Sequence, residues 1–114
     1  MRLINQTRGT VLAQDVVFAN TPLKRVIGLL GHKNLLDGQA LVIEPCNSIH
    51  TLFMRFSIDV LFVDKNNKVV KALEQLSPFR LSKLYWKSSM VVELPCGKLK
   101  STQTQDEDSL QFLD

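Results

Sequence analysis

Two polar residues whose side chains can do chemistry, His50 and Asp59, stand between Cys46 and Asp64, in a stretch that holds three of the six Phe residues. Alternate side chains share one face of an extended strand, so His50 would lie on the face opposite Phe53. If the Phe53 face fills the core, the imidazole opens on a cleft, where it can act as an acid, a base or a metal ligand. A half-buried histidine hydrogen-bonded to the main chain is the simpler alternative.

Asp59 directly precedes residues 60–63, an apolar block typical of a strand that is buried on both faces. A carboxylate in that position needs partners that hold its charge, such as backbone amides of the preceding corner, Arg55 or His50. Two interpretations follow. Asp59 either caps the corner at residues 56–58 or belongs to a functional site.

The two cysteines form no recognisable metal or redox motif. Cys46 and Cys96 are far apart in the sequence, and neither belongs to a CxxC pair. Cys46 and His50 on one extended strand would be about 13 Å apart, which is too far for a catalytic pair unless the chain turns between them. We therefore expect reduced, unpaired and buried thiols, with no metal and no cofactor.

A second candidate surface is a cluster of basic and aromatic residues, namely Arg80, Lys83, Tyr85, Trp86 and Lys87. Proteins that bind single-stranded nucleic acid use such residues to stack on bases and to contact phosphates. The chain has only one Trp and one Tyr, however, which favours two aromatics that anchor a loop. Nucleic-acid binding is accordingly the less favoured interpretation.

The composition predicts one globular domain over residues 1–114. The apolar fraction is 45% and the charged fraction 22%, and the net charge is +3. No apolar run approaches the roughly 20 residues that span a bilayer, and the N-terminus turns polar too soon for a secretory signal. These features favour a cytoplasmic protein without a membrane partner.

The order of predicted elements is dominated by strands. A helix is expected at residues 22–30, with Thr21 as its N-cap and Gly31 after its end. Strands are expected at residues 10–18, 40–44, 49–55, 60–63, 69–73, 90–94 and 110–113, with a hairpin turn at 64–68 and a short helix after residue 97. The pattern favours an α+β, predominantly β fold: a curled antiparallel sheet or a small open β-barrel with one packed helix.

One set of residues extends across nearly the whole chain. It comprises Thr21-Pro22-Leu23, Gly28-Leu29-Leu30-Gly31, Cys46, Ser48-Ile49-His50-Thr51, Phe53-Met54-Arg55-Phe56, Ile58-Asp59-Val60, Phe62-Val63-Asp64, Pro78, Glu93-Leu94-Pro95 and Gly97. Over residues 10–113 this pattern resembles the bacterial and archaeal family known as domain of unknown function 192. The resemblance implies a compact, predominantly β domain, and it brings no established activity, substrate or cofactor.

Two positions depart from the family pattern. Ser57 stands where the family usually has Pro, so the corner before Asp59 is expected to be less rigid. Near the C-terminus, Glu107-Asp108 stands where the family tends to have Gly-Asp. That difference affects the terminal turn and any site built from it.

The candidate ligand-binding residues are Ser48, His50, Thr51, Arg55, Asp59 and Glu93. We expect a binding or accessory module for a small polar ligand or a protein partner, with a polar cleft around His50 and Asp59. One alternative is a hydrolase in which His50 is the general base and Asp59 orients it. Another is weak single-stranded nucleic-acid binding through residues 80–87. An Asp59 carboxylate bonded to the imidazole would favour the enzyme, and one turned to backbone amides would favour the module.

Overall fold

Strands make up most of the described chain. The computed structural model describes residues 1–19, 35–45, 48, 56–77 and 82–114. The strands are β1 (Arg2–Asn5), β2 (Thr10–Ala13), β3 (Asp15–Ala19), β4 (Gln39–Ile43), β5 (Ile58–Val63), β6 (Val69–Leu76), β7 (Met90–Pro95) and β8 (Leu110–Leu113), and the helix α1 is Lys98–Thr102. The helix predicted at 22–30 and the strand predicted at 49–55 lie outside the described residues.

The strands form two sheets. The smaller has the order β2-β1-β8, and the larger has the order β3-β4-β7-β5-β6. All neighbours are antiparallel except β3 and β4, which run parallel. Neither sheet closes into a barrel, and the predicted α+β, predominantly β class is confirmed.

The central strands of the larger sheet are buried on both faces. Every residue of β5 is buried, as the β-branched and large apolar side chains on both sides of Asp59 predict. Val60, Leu61, Phe62 and Val63 are all fully buried. The strand β7 lies between β4 and β5, and its first five residues are buried as well.

The alternation along these strands divides the core into two layers. Leu61 and Val63 of β5 join a cluster with Val92 and Leu94 of β7, which also contains residues of the smaller sheet and of α1. The alternate residues of the same strands form the second cluster on the opposite face: Ala19, Leu35, Leu41, Ile43, Ile58, Val60, Phe62 and Val91. Any polar side chain on β5 or β7 therefore enters one of two apolar layers.

The hairpin turn predicted at residues 64–68 is confirmed. The Oδ1 atom of Asp64 accepts the main-chain N–H of Asn66 at 2.8 Å and of Lys68 at 2.9 Å. Asn67 has φ of 62°, a left-handed conformation that asparagine tolerates better than most residues. This turn leads from β5 into β6.

The predicted strand at residues 10–18 is in fact two strands in different sheets. Gln14 separates β2 from β3, and its N–H donates to the carbonyl of Gly38 at 2.8 Å. The strand β1 was not predicted, because its four residues alternate only weakly. It is held by pairing with β2 and with β8 at the far end of the chain.

The terminal turn contains Glu107, which stands where the family tends to have glycine. Glu107 has φ of 77°, in the left-handed region that glycine adopts without steric cost. Its N–H donates to the carbonyl of Val69 at 2.8 Å, and Lys68 pairs with its carboxylate at 3.1 Å. The position where the family tends to have glycine is therefore one that requires a positive φ.

Within the described residues, the helical segment is too short and too polar to cross a bilayer.

Candidate functional site

The Asp59 carboxylate is fully buried and accepts three main-chain hydrogen bonds. Its Oδ1 atom accepts the N–H of Gln75 at 2.9 Å. Its Oδ2 atom accepts the N–H of Gly97 at 3.0 Å and that of Leu99 at 2.9 Å. The donors thus come from β6 and from the start of α1, whereas the sequence pointed to the corner at residues 56–58 or to a side chain.

These three bonds explain why an acid is needed at this position. The register of β5 and β6 shifts between Ile58 and Val60, and Gln75 opposite the shift has φ of 53°. Asp59 satisfies the Gln75 amide at this irregular point, where the regular ladder is interrupted. It also satisfies amides at the first turn of α1, whose N-cap, Gly97, has no capping side chain of its own. Asp59 therefore fastens β6 and α1 to the central strand.

Glu93, on β7, is the second buried acid of the candidate set. Its side chain is 1% exposed, and among the described residues its Oε2 is the buried side-chain atom that has no hydrogen-bond partner. Its cross-strand neighbours are Leu41 and Val60, which offer no side-chain donor. Burial raises the pKa of Glu93 to about 8, so the group is protonated at neutral pH.

The two acids do not share a site. Val60 lies opposite Glu93 in the β5–β7 ladder, and Asp59 lies opposite Leu94. Successive side chains of a strand point to opposite faces, so Asp59 and Glu93 enter different layers of the core. Asp59 lies with Leu61 and Leu94 toward α1, whereas Glu93 lies on the face of the second cluster.

The other candidate ligand residues are placed only in part. Ser48 is half-buried. His50, Thr51 and Arg55 lie outside the described residues, as does Cys46. The strand β4 ends beside Val91, and β5 begins beside Pro95. The strand residues on either side of these candidates, Ile43 and Ile58, therefore pair with β7 near its two opposite ends.

The two aromatics of the basic cluster behave differently. The Tyr85 ring packs on Phe62, with centroids 4.4 Å apart, and joins the second core cluster. Trp86 is 82% exposed. The interpretation that both aromatics anchor the loop is right for Tyr85 and wrong for Trp86. Arg80, in the same cluster, lies outside the described residues.

A buried polar network that the sequence did not reveal connects the two ends of the chain. Asn5 donates to Asp108 Oδ2 at 2.9 Å and to Thr104 Oγ1 at 3.0 Å. Arg8 donates to both oxygens of Asp108 at 3.2 Å, and Gln105 N–H donates to Oδ2 at 3.1 Å. Burial acts to raise the pKa of Asp108, but the bonds from Asn5 and Arg8 outweigh it and lower that pKa.

This network has the features of a structural clasp. Its two halves are about 100 residues apart in sequence. Asn5 is the last residue of β1, and the other members lie on turns and loops whose polar composition is ordinary for surface segments. A pocket of about 420 Å³ lies beside it, lined by Arg8, Glu74, Leu99, Lys100, Gln103, Thr104 and Gln105. The side chains that close the clasp are already bonded to one another.

Cys96 is a free thiol, and it is exposed instead of buried, because it lies in the turn between β7 and α1. Partial desolvation and the negative charges of Asp59 and Glu74 raise the pKa of this thiol. Within the described ranges, no group of three or more His, Cys, Asp or Glu side chains is arranged to hold a metal ion.

Comparisons with known proteins extend the resemblance seen in the sequence. The family model of domain of unknown function 192, described as "Uncharacterized ACR", matches residues 3–112. A UPF0127 protein of Pyrococcus furiosus is 32% identical over 113 residues, covering 96% of this chain and 97% of the relative. A UPF0127 protein of Thermococcus sibiricus is 34% identical over 114 residues, covering 96% of this chain and 73% of the relative.

A solved structure confirms the likeness in fold. A protein of unknown function from Novosphingobium aromaticivorans superimposes with a TM-score of 0.83 at 16% identity, covering 98% of this chain and 84% of that one. At this identity the likeness concerns the fold alone.

Proposed function

This chain belongs to the family of domain of unknown function 192, whose members are described as uncharacterised, and we propose that it is a ligand-binding module and not a hydrolase. The observation that carries the proposal is the engagement of Asp59. Both oxygens of this carboxylate are held by main-chain amides. Asp59 therefore stabilises the fold, whereas a hydrolase would need this carboxylate to orient its general base.

The hydrolase alternative requires Asp59 to orient His50. An orienting carboxylate accepts the ring N–H of the histidine and stabilises the imidazolium that forms during the reaction. Turning Asp59 to that task would give up its hydrogen bond from the N–H of Gln75, Gly97 or Leu99. The amide that loses its acceptor would be left unsatisfied, and the amide of Leu99 is buried. The cost of that change disfavours Asp59 as a catalytic partner.

Glu93 is the acid that we assign to the ligand. A protonated carboxyl group both donates and accepts a hydrogen bond, so it can bind the carbonyl or the N–H of an amide without needing a counter-charge. A buried group without a partner costs about 1–3 kcal/mol, which binding of a polar group would offset. The ligand that fits is small, polar and uncharged at the atoms that reach Glu93.

The remaining contacts are proposed on the connection between β4 and β5. The two strand ends that this connection joins, Ile43 and Ile58, pair near opposite ends of β7, the strand that carries Glu93. It contains Ser48, His50, Thr51 and Arg55. We assign these four side chains to the rim of the ligand site and place the protein in the cytoplasm.

Thermal denaturation against a panel of small amides, ureas and hydroxy compounds tests the proposal. A compound present at 100 times its dissociation constant adds about 2.7 kcal/mol of stability, which raises the melting temperature of a small domain by roughly 10 °C or more. Glu93→Leu and His50→Ala should each abolish that rise, and Glu74→Gln, at an exposed position, should keep it.

A second assay addresses the hydrolase alternative directly. Hydrolysis of p-nitrophenyl acetate should be no faster with wild-type protein than with His50→Ala. A turnover that both His50→Ala and folded Asp59→Asn abolish would refute the binding module and restore the catalytic pair.

A further inference from the structure

Trp86 projects from a turn that is fixed on both sides. The N–H of Ser88 donates to the carbonyl of Tyr85 at 2.9 Å, which places Trp86 and Lys87 at the two central positions of the turn. The Tyr85 ring is packed on Phe62, and the N–H of Ser89 donates to the carbonyl of Val63 at 2.8 Å. The exposed indole is therefore held on a rigid support, which lowers the entropy that a ligand must remove on binding.

The indole borders a pocket of about 330 Å³, lined by Asp64, Lys65, Asn66, Trp86, Lys87, Ser88 and Ser89. Its lining combines one aromatic surface with groups from the β5–β6 hairpin. The pocket lies at the lower end of the size range of small-molecule sites. It is large enough for one planar ring and its substituent.

Two of the three charged side chains that line this pocket are positive, and neither forms an ion pair with a described carboxylate. Among the described lysines, Lys68 and Lys71 are paired with the acidic turn after α1, and Lys98 is paired with Asp37. Lys65 and Lys87 are exposed and have no carboxylate within ion-pair distance among the described residues. Two exposed lysines without an ion-pair partner among the described residues thus lie beside the only tryptophan of the sequence.

Asp64 is the one acid in the pocket lining, and its role is local. Its Oδ1 atom accepts the N–H groups of Asn66 and Lys68 and so closes the hairpin. Beside that carboxylate, the pocket offers a ligand the indole, two ammonium groups and the Asn66 amide. An uncharged sugar would use the aromatic face alone, whereas a ring that carries a phosphate would use the indole and both ammonium groups.

We propose that the Trp86 pocket binds one nucleotide of a single-stranded nucleic acid. The base stacks on the indole, and the flanking phosphates contact Lys65 and Lys87. Stacking on an aromatic side chain tolerates every base, so the site distinguishes single strands from duplexes without selecting a sequence. This site is independent of the Glu93 ligand, because it is built from the 64–66 and 86–89 turns at the surface.

The intrinsic fluorescence of the protein tests the proposal, since Trp86 is the only tryptophan. Titration with (dT)10 at low salt should quench the emission to saturation. The affinity should fall with salt with a slope near −1.4 in log–log form, as expected for two phosphates. A (dT)10 analogue with abasic sites keeps the phosphates and lacks the bases. Wild-type protein should bind this analogue more weakly than (dT)10, by the same factor by which Trp86→Leu weakens the binding of (dT)10.

Variants read with fluorescein-labelled (dT)10 separate stacking from charge. Trp86→Leu should weaken binding between about 5-fold and 150-fold, the range expected for one lost base stack. The double change Lys65→Gln with Lys87→Gln should flatten the salt dependence. The matched control, Lys83→Gln with Lys100→Gln, removes two exposed lysines outside the pocket and should keep both affinity and slope within about two-fold.

Three results would overturn the proposal. If titration with (dT)10 at low salt gives no saturable quenching, the Trp86 pocket does not bind single strands. If the double change at Lys65 and Lys87 and the control change at Lys83 and Lys100 weaken binding equally, the strand is attracted by positive charge anywhere on the surface. A free dTMP that binds as tightly as (dT)10 would assign the pocket to mononucleotides and not to strands.

Discussion

Replacing Glu93 with glutamine should change how the stability of the protein depends on pH. Glutamine keeps the size of the side chain and removes the titrating proton. Burial raises the pKa of Glu93 from 4.5 to about 8 in the folded protein. Between those values the unfolded chain releases the proton that the folded chain retains, so the folded state loses stability as pH rises.

The magnitude follows from the two pKa values. Below about pH 4.5 both states are protonated and Glu93 imposes no ionisation penalty. From there the free energy of unfolding falls by about 1.4 kcal/mol per pH unit, which gives a loss of roughly 3 kcal/mol at pH 7. The loss levels off near 5 kcal/mol above about pH 8, where both states are ionised. Small domains have only about 5–15 kcal/mol in total, so the effect is large.

Urea denaturation of wild type and Glu93→Gln at pH 5, 6, 7 and 8 measures this difference. The other titrating groups are common to both proteins, so they cancel when the two free energies are subtracted. The free energy of unfolding of Glu93→Gln should rise relative to that of wild type by about 1.4 kcal/mol with each pH unit. Glu74→Gln, at an exposed position on β6, is the matched control and should run parallel to wild type. A constant difference between wild type and Glu93→Gln from pH 5 to 8 would refute the assignment of a buried, protonated carboxyl.

Three further predictions concern the groups that hold the fold. Asp59→Asn should lower the free energy of unfolding by on the order of 3 kcal/mol, because the new NH₂ group faces main-chain donors. Asp15→Asn, at an exposed position, is the control for equilibrium denaturation. A loss within error for Asp59→Asn would contradict the role of Asp59. Asp108→Asn should cost about 2 kcal/mol at pH 7 through its bonds to Arg8. Since the pKa of Asp108 is lowered on folding, the destabilisation by Asp108→Asn should shrink in urea titrations as pH falls below about 4. A destabilisation that stays constant down to pH 2 would contradict this prediction. Glu107→Gly should raise the free energy of unfolding by up to about 1 kcal/mol by relieving a left-handed φ, and a destabilised variant would oppose this explanation.

The elements that the sequence predicts well are those that local pattern determines. The apolar run through β5 has no polar interruption after Asp59, so its burial on both faces follows from composition alone. The turn at 64–68 follows from asparagine's tolerance of positive φ, and the observed φ of Asn67 is 62°. In both cases the deciding interactions lie within a few residues of one another.

The elements that the sequence misses depend on partners that are far away in the chain. The strand β1 has four residues and pairs with β8, at the opposite terminus. The clasp around Asp108 joins that terminus to Asn5, and no local pattern marks either residue. A periodicity of two identifies a face but cannot identify the chain segment that covers it.

The two buried acids show why pattern alone could not assign the candidate site. Asp59 and Glu93 are each flanked by apolar residues in a central strand, so their local sequences suggest the same role. Their faces differ, however. Asp59 meets the first turn of α1 and an irregular point of β6, and both supply main-chain N–H groups that ordinary ladders do not use. Glu93 meets Leu41 and Val60 across regular ladders, whose amides are committed to the sheet. The availability of unused amides therefore explains why Asp59 is held for structure, and the lack of such amides around the described neighbours of Glu93 is the reason that we propose Glu93 as the acid that meets a ligand.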